Sequence, residues 1–444
     1  MSKKRKPLPE QPIEVEIESL THDGRGLAHL EGKAVFVDGA LPGERVQARY
    51  TRLQRHYDEA AVVAIERPSP ERVAPRCPHF GVCGGCRLQH LAAPAQVRVK
   101  QEILQEVLAR IGKVTPETWL APLSGEPWGY RRKARLGVRY VPKKGRVLVG
   151  FRERRSAFVT DLTRCDILHP AVGERIPAIA AALQDLSIRE RLPQIEIAIG
   201  DGPAVLVFRV LDPPSADDLA RLAALGEETG LHIYLQEGGI ETIRPLPGQA
   251  IALHYSLPHH QVRIAFEPSD FTQVNLQLNR AMVDQALGLL DAQPDERVLD
   301  LFCGLGNFTL PLARQAGAVL GLEGDAGLVA RARRNAEHHH LANVRFEVAD
   351  LYGEGALSPW LEGRFDKALL DPPRSGALAV LEWLPRLGVQ RLVYVSCYPA
   401  TLARDADRLV NDLGYRLVAA GAMDMFPHTD HLEAMALFER AEGR

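Results

Sequence analysis

The sequence predicts a multidomain fold: a small N-terminal β-barrel, a mixed α+β central domain built around a cysteine-rich segment, and a C-terminal, doubly wound α/β domain. Three observations carry this reading. Residues 13–67 break into short strand-like runs at barrel spacing. Three cysteines crowd the segment "RCPHFGVCGGCRLQH", Arg76 to His90. The last third alternates apolar strand-like runs with helical patterns, the signature of a mostly parallel sheet. With 444 residues, 46% of them hydrophobic, the chain is past the size at which a single core stops growing.

The elements follow in order. Residues 1–10 form a basic, Pro-containing tail, "MSKKRKPLPE". Residues 11–68 hold the runs "IEVEIESL", "GLAHL", "KAVFVDG", "ERVQARYTR" and "DEAAVVAIE", separated by turn residues. The charged, Pro-rich "ERPSPERVAP" leads into the central domain, residues 69–270. There a helical pattern runs from Gln96 to Ile111, and strands are expected at Arg135 to Tyr140, Val147 to Phe151, Ile195 to Ile199 and Val205 to Val210. Residues 271–444 contain "RVLDLF", "AVLGLE", "VRFEVAD", "KALLDPP", "RLVYVS" and "YRLVAAGAM" as strands, with "AGLVARARRNAEHH" and "TLARDADRLVNDLG" as helices between them. "HLEAMALFER" follows its predecessor so closely that a closing antiparallel hairpin is expected.

No apolar run approaches the roughly 20 residues of a membrane span, and the N-terminus lacks the apolar stretch of a secretory signal, so a cytoplasmic protein is expected. In a reducing compartment, clustered cysteines read first as metal or cluster ligands. The spacing C-x5-C-x2-C of Cys77, Cys83 and Cys86, with Gly84 and Gly85 between, suits loops wrapped around a compact inorganic core. Zinc and an iron–sulfur cluster are equally compatible with that spacing. The net charge of −2 names no partner. However, the chain from Arg131 to Arg155 is almost purely basic, a candidate phosphate-binding face or else a solvated one.

The chemistry concentrates in the last third. In "DLFCGLGNFTLPLA", Asp300 to Ala313, a strand ends in a loop where Gly304 and Gly306 let a ligand approach the backbone, and a helix begins near Asn307. Thr309 stands where the third glycine of a dinucleotide motif would be. Glu323, after the second strand, can accept both hydroxyls of a ribose, and Asp350, after the third, is within reach of an adenine. A structural turn with strand-capping acids would account for part of this; the combination favours S-adenosylmethionine over NAD. Pro372 and Pro373 stiffen the backbone that holds Asp371 at the same edge. Cys397 ends the fifth strand beside it. Strand-end thiols are commonly inert core, but one beside a cofactor cleft is a candidate nucleophile. Cys303 reads as core, and His338 to His340 as a solvated helix end.

The motifs "FTQVN", "DLFCGLGNF", "DPPRSG", "VSCYPATLARD" and "HLEAM", in this order, resemble the S-adenosylmethionine-dependent RNA uracil C5-methyltransferases. The barrel is similar to a TRAM domain of the OB-like class. The cysteine segment resembles the iron–sulfur site of the branch that acts on uracil 1939 of 23S ribosomal RNA. The resemblance implies a Rossmann-like methyltransferase domain with Gln273, Phe302, Asn307, Glu323, Asp350 and Asp371 binding S-adenosylmethionine, Cys397 as nucleophile and Glu433 as base. It also implies Cys77, Cys83, Cys86 and Cys165 as ligands of a [4Fe–4S] cluster. The expected partner is 23S ribosomal RNA, with neither a membrane nor an obligate protein partner. Tyr398 departs from the Asn that the family often has after the nucleophile. Two rival readings are the same chemistry on another ribosomal or transfer RNA uracil, and a non-catalytic RNA-binding iron–sulfur protein. The second would be marked by loss of Cys397 or Glu433, and both are present.

Overall fold

The computed structural model describes residues 8–353 and 363–441; residues 1–7 of the basic tail lie outside the described residues. In the N-terminal region six strands pair in the order Ile13–Glu16, Arg45–Leu53, Tyr57–Arg67, Lys33–Asp38, Gly26–Leu30 and Ser19–Leu20. The two outermost strands are consecutive pieces of one extended segment, so the sheet closes on itself and leaves no free edge. Alternate residues Val35 and Val37, and Val46 and Ala48, point inward to meet Val15, Ile17 and Ala28. Each valine so buried contributes about 1.5–3 kcal/mol. Glu44 is fully buried at the barrel's exit. Burial alone would raise its pKa, but Arg72 and the backbone N–H groups of Leu41 and Ser69 outweigh burial and hold it below the usual range. This charge network ties the barrel to the linker.

The central six-stranded sheet runs Arg244–Pro245, His232–Gln236, Ala204–Arg209, Gln194–Ile199, Lys133–Val141 and Arg146–Gly150. Its one parallel pair, Ala204–Arg209 with His232–Gln236, is joined by the helix Ala216–Thr229. A Ser215–Asp218 capping box fixes the start of that helix and Gly230 in the left-handed region its end. A separate hairpin, Leu253–Leu257 with Val262–Phe266, leans against this sheet.

The C-terminal sheet has eight strands in the order Val344–Val348, Ala318–Glu323, Arg297–Leu301, Lys367–Leu370, Arg391–Ser396, Glu433–Arg440, Tyr415–Met423 and Thr118–Trp119. The first five are parallel, and Glu433–Arg440 is antiparallel to both its neighbours, as the expected closing hairpin requires. Chain order reverses between Arg297–Leu301 and Lys367–Leu370, so a crevice opens there at the carboxyl ends of the strands. Thr118–Trp119 comes from the central segment yet pairs in parallel with Tyr415–Met423. The helix Ala93–Val107 leads up to it and places Leu104 in the core of the same sheet. No helix among the described residues is long and apolar enough to cross a membrane.

Candidate active site

Gln273, Phe302, Asn307, Glu323, Asp350, Asp371, Cys397 and Glu433 all line one cavity of about 540 Å³ at the carboxyl edge of the C-terminal sheet. Each parallel strand delivers one group. Phe302 leaves Arg297–Leu301 with φ +66, a left-handed backbone held by its N–H bond to the Leu322 carbonyl (2.9 Å). Such strain in a bulky residue is tolerated where surrounding structure over-determines it. Its ring meets that of Tyr352 at 5.7 Å. Gly306, at φ +90, has no space for a side chain, because a Cβ would stand 2.9 Å from Leu310. Glu323 accepts from the N–H groups of Gly304 (3.1 Å), Gly324 (2.7 Å) and Asp325 (3.0 Å), which fixes its carboxylate at the loop. Asn307 accepts from the Tyr255 hydroxyl (3.0 Å) and exchanges two amide bonds with Asn279 (2.9 and 3.0 Å). Asp350 caps its own turn by accepting from Tyr352 N–H (3.0 Å).

The reacting half of the cavity is lined by acidic groups. Burial, with Glu433 and Asp371 nearby, pushes the Cys397 thiol up to about 11; Arg374 acts in the opposite direction. Glu433, only 5% exposed, is pushed up to about 8 by burial and by Asp371, against the pull of Lys100. Burial raises Asp371 to about 7. Beneath them, fully buried Asp300 is raised to about 8 by burial, even though the Thr309 hydroxyl donates to it (2.5 Å). Burial is the first cause of each of these shifts, and a cation bound among the groups would favour their ionised forms. Tyr398 leaves local hydrogen bonding intact: its backbone N–H donates to Ser396 Oγ, which donates back to the Tyr398 carbonyl (both 3.2 Å), and its side chain faces solvent.

The cysteines of the segment Arg76 to His90 lie outside this cavity. Cys77, Cys83, Cys86 and Cys165 line one small second cavity with Phe151 and Leu162, and none of them is in a disulfide. Burial raises all four thiols, Cys86 and Cys165 to about 12. Gly85 N–H donates to Cys83 Sγ (3.4 Å), and a Cβ at Gly84 would stand 2.9 Å from the Arg152 carbonyl, so the close wrap needs a glycine at 84. Among the described residues no three His, Cys, Asp or Glu side chains converge as they would around a single metal ion.

Part of the basic run from Arg131 to Arg155 is paired within the protein, while most of its side chains stay exposed. Arg132 donates to the Gly200 carbonyl and Lys133 to that of Pro268. Arg135 pairs with Glu196, Lys144 and Arg146 with Asp161, and Arg154 and Arg155 with Asp38 of the barrel. Among these pairs only those of Arg154 and Arg155 join two domains, the central domain and the barrel. The supports of the cavity, Tyr255, Asn279 and Lys100, were not singled out by sequence reasoning. Asn279 had one local signal: it is a polar residue on the buried side of the helix Leu276–Leu290.

Comparison with known proteins agrees with this geometry. The tRNA (uracil-5-)-methyltransferase family matches residues 96–354 and 361–441, and the TRAM domain matches residues 10–63. The 23S rRNA (uracil(1939)-C(5))-methyltransferase RlmD of Alkalilimnicola ehrlichii is 56% identical over 99% of both chains. The protein of the same name from Methylococcus capsulatus is 56% identical over 98% of this chain and 99% of its own. The solved tRNA (uracil-54, C5)-methyltransferase of Pyrococcus abyssi, in complex with S-adenosyl-L-homocysteine, superposes with a TM-score of 0.73 at 23% identity, covering 96% of this chain and 100% of that one, and shares its fold. Because the first family match spans every residue that lines the cavity, the chain belongs to the tRNA (uracil-5-)-methyltransferase family, with a TRAM domain at its N-terminus.

Proposed function

We propose that this enzyme transfers a methyl group from S-adenosylmethionine to C5 of a uracil in 23S ribosomal RNA, the uracil 1939 that its relatives' names specify. One observation carries the reading: Cys397 and Glu433, from different strands, meet in a cavity whose other walls suit a nucleoside cofactor. S-adenosylmethionine supplies an electrophilic methyl on a cationic sulfur when bound, and the acidic cavity suits that cation. Glu323 is assigned to the ribose hydroxyls and Asp350 to the adenine, with Gln273, Phe302, Asn307 and Asp371 completing the cofactor site.

Uracil C5 is too poor a nucleophile to take the methyl unaided. The Cys397 thiolate adds to C6, and the ring becomes an enolate with electron density at C5. After methylation the adduct is saturated. Glu433 removes the C5 proton, the C5–C6 double bond re-forms and the thiolate leaves. Cys397→Ala should therefore form no covalent RNA adduct. Glu433→Gln should form the adduct, accept the methyl and stall, since a positioned base is worth roughly 10² to 10⁴ in rate. A denaturing gel with labelled cofactor reads both outcomes; normal turnover by the Gln variant would remove Glu433 from the role.

The thiols of Cys77, Cys83, Cys86 and Cys165 are assigned to a [4Fe–4S] cluster, supported by the donor set gathered on one cavity. The cluster's part would be to fasten residues 77–90 to the turn carrying Cys165, because methyl transfer to an activated uracil needs no electron. Protein purified without oxygen is expected to carry about four iron per chain, and Cys86→Ser to lose them. Stoichiometric zinc without iron would refute the assignment. The chain then divides into tail 1–10, RNA-binding barrel 11–68, central domain 69–270 and catalytic domain 271–444, with residues 93–119 serving the catalytic sheet. Its place is the cytoplasm, where ribosomal RNA is modified.

A further inference from the structure

The loop 424–432 joins Tyr415–Met423 to Glu433–Arg440 and so carries Glu433 at its end; Met423 and Glu433 are paired across its base. One face of the helix Ala93–Val107 grips it. Gln96, Lys100 and Gln101 are 0%, 2% and 9% exposed, polar residues on one face of an otherwise amphipathic helix. Gln101 Oε1 accepts from Ala422 N–H (2.8 Å), just before the loop. Lys100 Nζ donates to Asp424 Oδ1 (2.6 Å) and to the Phe426 carbonyl (3.0 Å). Gln96 Oε1 accepts from His428 N–H (2.8 Å), and its Nε2 lies 3.1 Å from His428 Nδ1. The His428 backbone is left-handed, at φ +66, and its carbonyl accepts from Arg87 and Leu88 N–H, within the cysteine segment and directly after Cys86. Its ring stacks on Trp128 at 3.9 Å.

A buried Lys–Asp pair is costly to desolvate, and an apolar pair would hold a helix against a loop as well. What an apolar pair cannot do is fix the register of the loop through directed hydrogen bonds. We propose that Lys100, with Gln96 and Gln101 beside it, is the positioning residue for Glu433: its bonds to Asp424 and the Phe426 carbonyl lock the loop so that the carboxylate reaches C5 of the adduct. This rests on the reading of Glu433 as the base. The charged groups that act on Glu433 are Asp371, from the loop after Lys367–Leu370, and Lys100 itself. Cys397 faces it from the end of Arg391–Ser396, with Arg374 beside that thiol, and Asp424 sits on its own hairpin.

The test uses the full chain, tritium-labelled S-adenosylmethionine and a 23S ribosomal RNA fragment bearing the target uracil, and reads adduct formation separately from release of methylated RNA. Lys100→Met combined with Asp424→Asn leaves no buried charge unpaired. Adduct formation is expected to stay within about threefold of the parent while release slows about tenfold or more, because small misplacements of a catalytic group cost up to about 10² in rate. The pH profile of release should be displaced to higher pH than the parent's, since without Lys100 the carboxyl keeps its proton longer. Gln96→Met, which frees His428 but removes no charge, should slow release without moving its pH dependence, and it carries the test if the double variant does not fold. Equal slowing of both steps would show a merely structural role and overturn the proposal. So would unchanged release in a background where Glu433→Gln stalls. Normal release by Glu433→Gln would overturn the reading of the base, and the proposal with it.

Discussion

Cys397 and Glu433 share one cavity with linked requirements: the thiol must lose its proton to attack, and the carboxylate must be ionised to accept one. Both are held back, the thiol near 11 by burial, Glu433 and Asp371, and the carboxyl near 8 by burial and Asp371. The sign of their coupling is testable. At about pH 9 Glu433 is ionised, and its negative charge opposes formation of the thiolate. Glu433→Gln removes that charge, so the thiol's pKa should fall and iodoacetamide should label Cys397 several-fold faster than in the parent, as followed by mass spectrometry of its peptide. At about pH 6, where the parent Glu433 is already neutral, the two proteins should label alike. A variant that labels no faster at the higher pH would show that the two groups do not interact.

Among the elements, the hairpin Leu253–Leu257 with Val262–Phe266 shows how packing far from the reaction supports the cofactor site. It brings the Tyr255 hydroxyl to Asn307, and it is docked on the central sheet at Gly200 and Asp201. Asp201 N–H donates to the His254 carbonyl (2.8 Å), and the Asp201 carboxylate accepts from Ser256 N–H (2.7 Å) and pairs with Arg280 (2.8 Å). A Cβ at Gly200 would fall 1.9 Å from the His254 carbonyl oxygen, so the hairpin would have to move. Gly200→Ala should cost about 1–3 kcal/mol by thermal unfolding, the usual range for overpacking. It should also weaken S-adenosylmethionine binding by calorimetry, because Asn307 loses its support. A loss of stability with no loss of binding would separate the hairpin from the cofactor site.

For the whole molecule, the buried acids set how stability depends on pH. Asp300, Asp371 and Glu433 have folded pKa values of about 8, 7 and 8, above their ordinary 3.8 to 4.5. A carboxyl raised in this way binds its proton in the folded state after the unfolded chain has released it, so stability falls as pH climbs from the ordinary pKa to the raised one. Asp300→Asn removes one such group while keeping an acceptor for the Thr309 hydroxyl. Its advantage in thermal midpoint over the parent should therefore grow from about pH 5 to about pH 8 and level off above. A constant difference across that range would mean that Asp300 titrates normally.

By itself, the sequence determined the three-part architecture and nearly all of the cavity. Strand periodicity is local, and in a parallel sheet the residue after each strand falls at one edge, so Phe302, Glu323, Asp350, Asp371 and Cys397 could be placed together without coordinates. The motif "HLEAM" marked Glu433, but not what holds it. Contacts between segments hundreds of residues apart leave no local period, and only the tertiary structure decided them. That is why Thr118–Trp119 joining the catalytic sheet, Lys100 reaching Asp424, and Arg132, Lys133 and Arg155 reaching Gly200, Pro268 and Asp38 were not legible. A charged residue reads the same in sequence whether it faces water or a buried partner, because burial is a property of the assembled fold and not of its own stretch of chain.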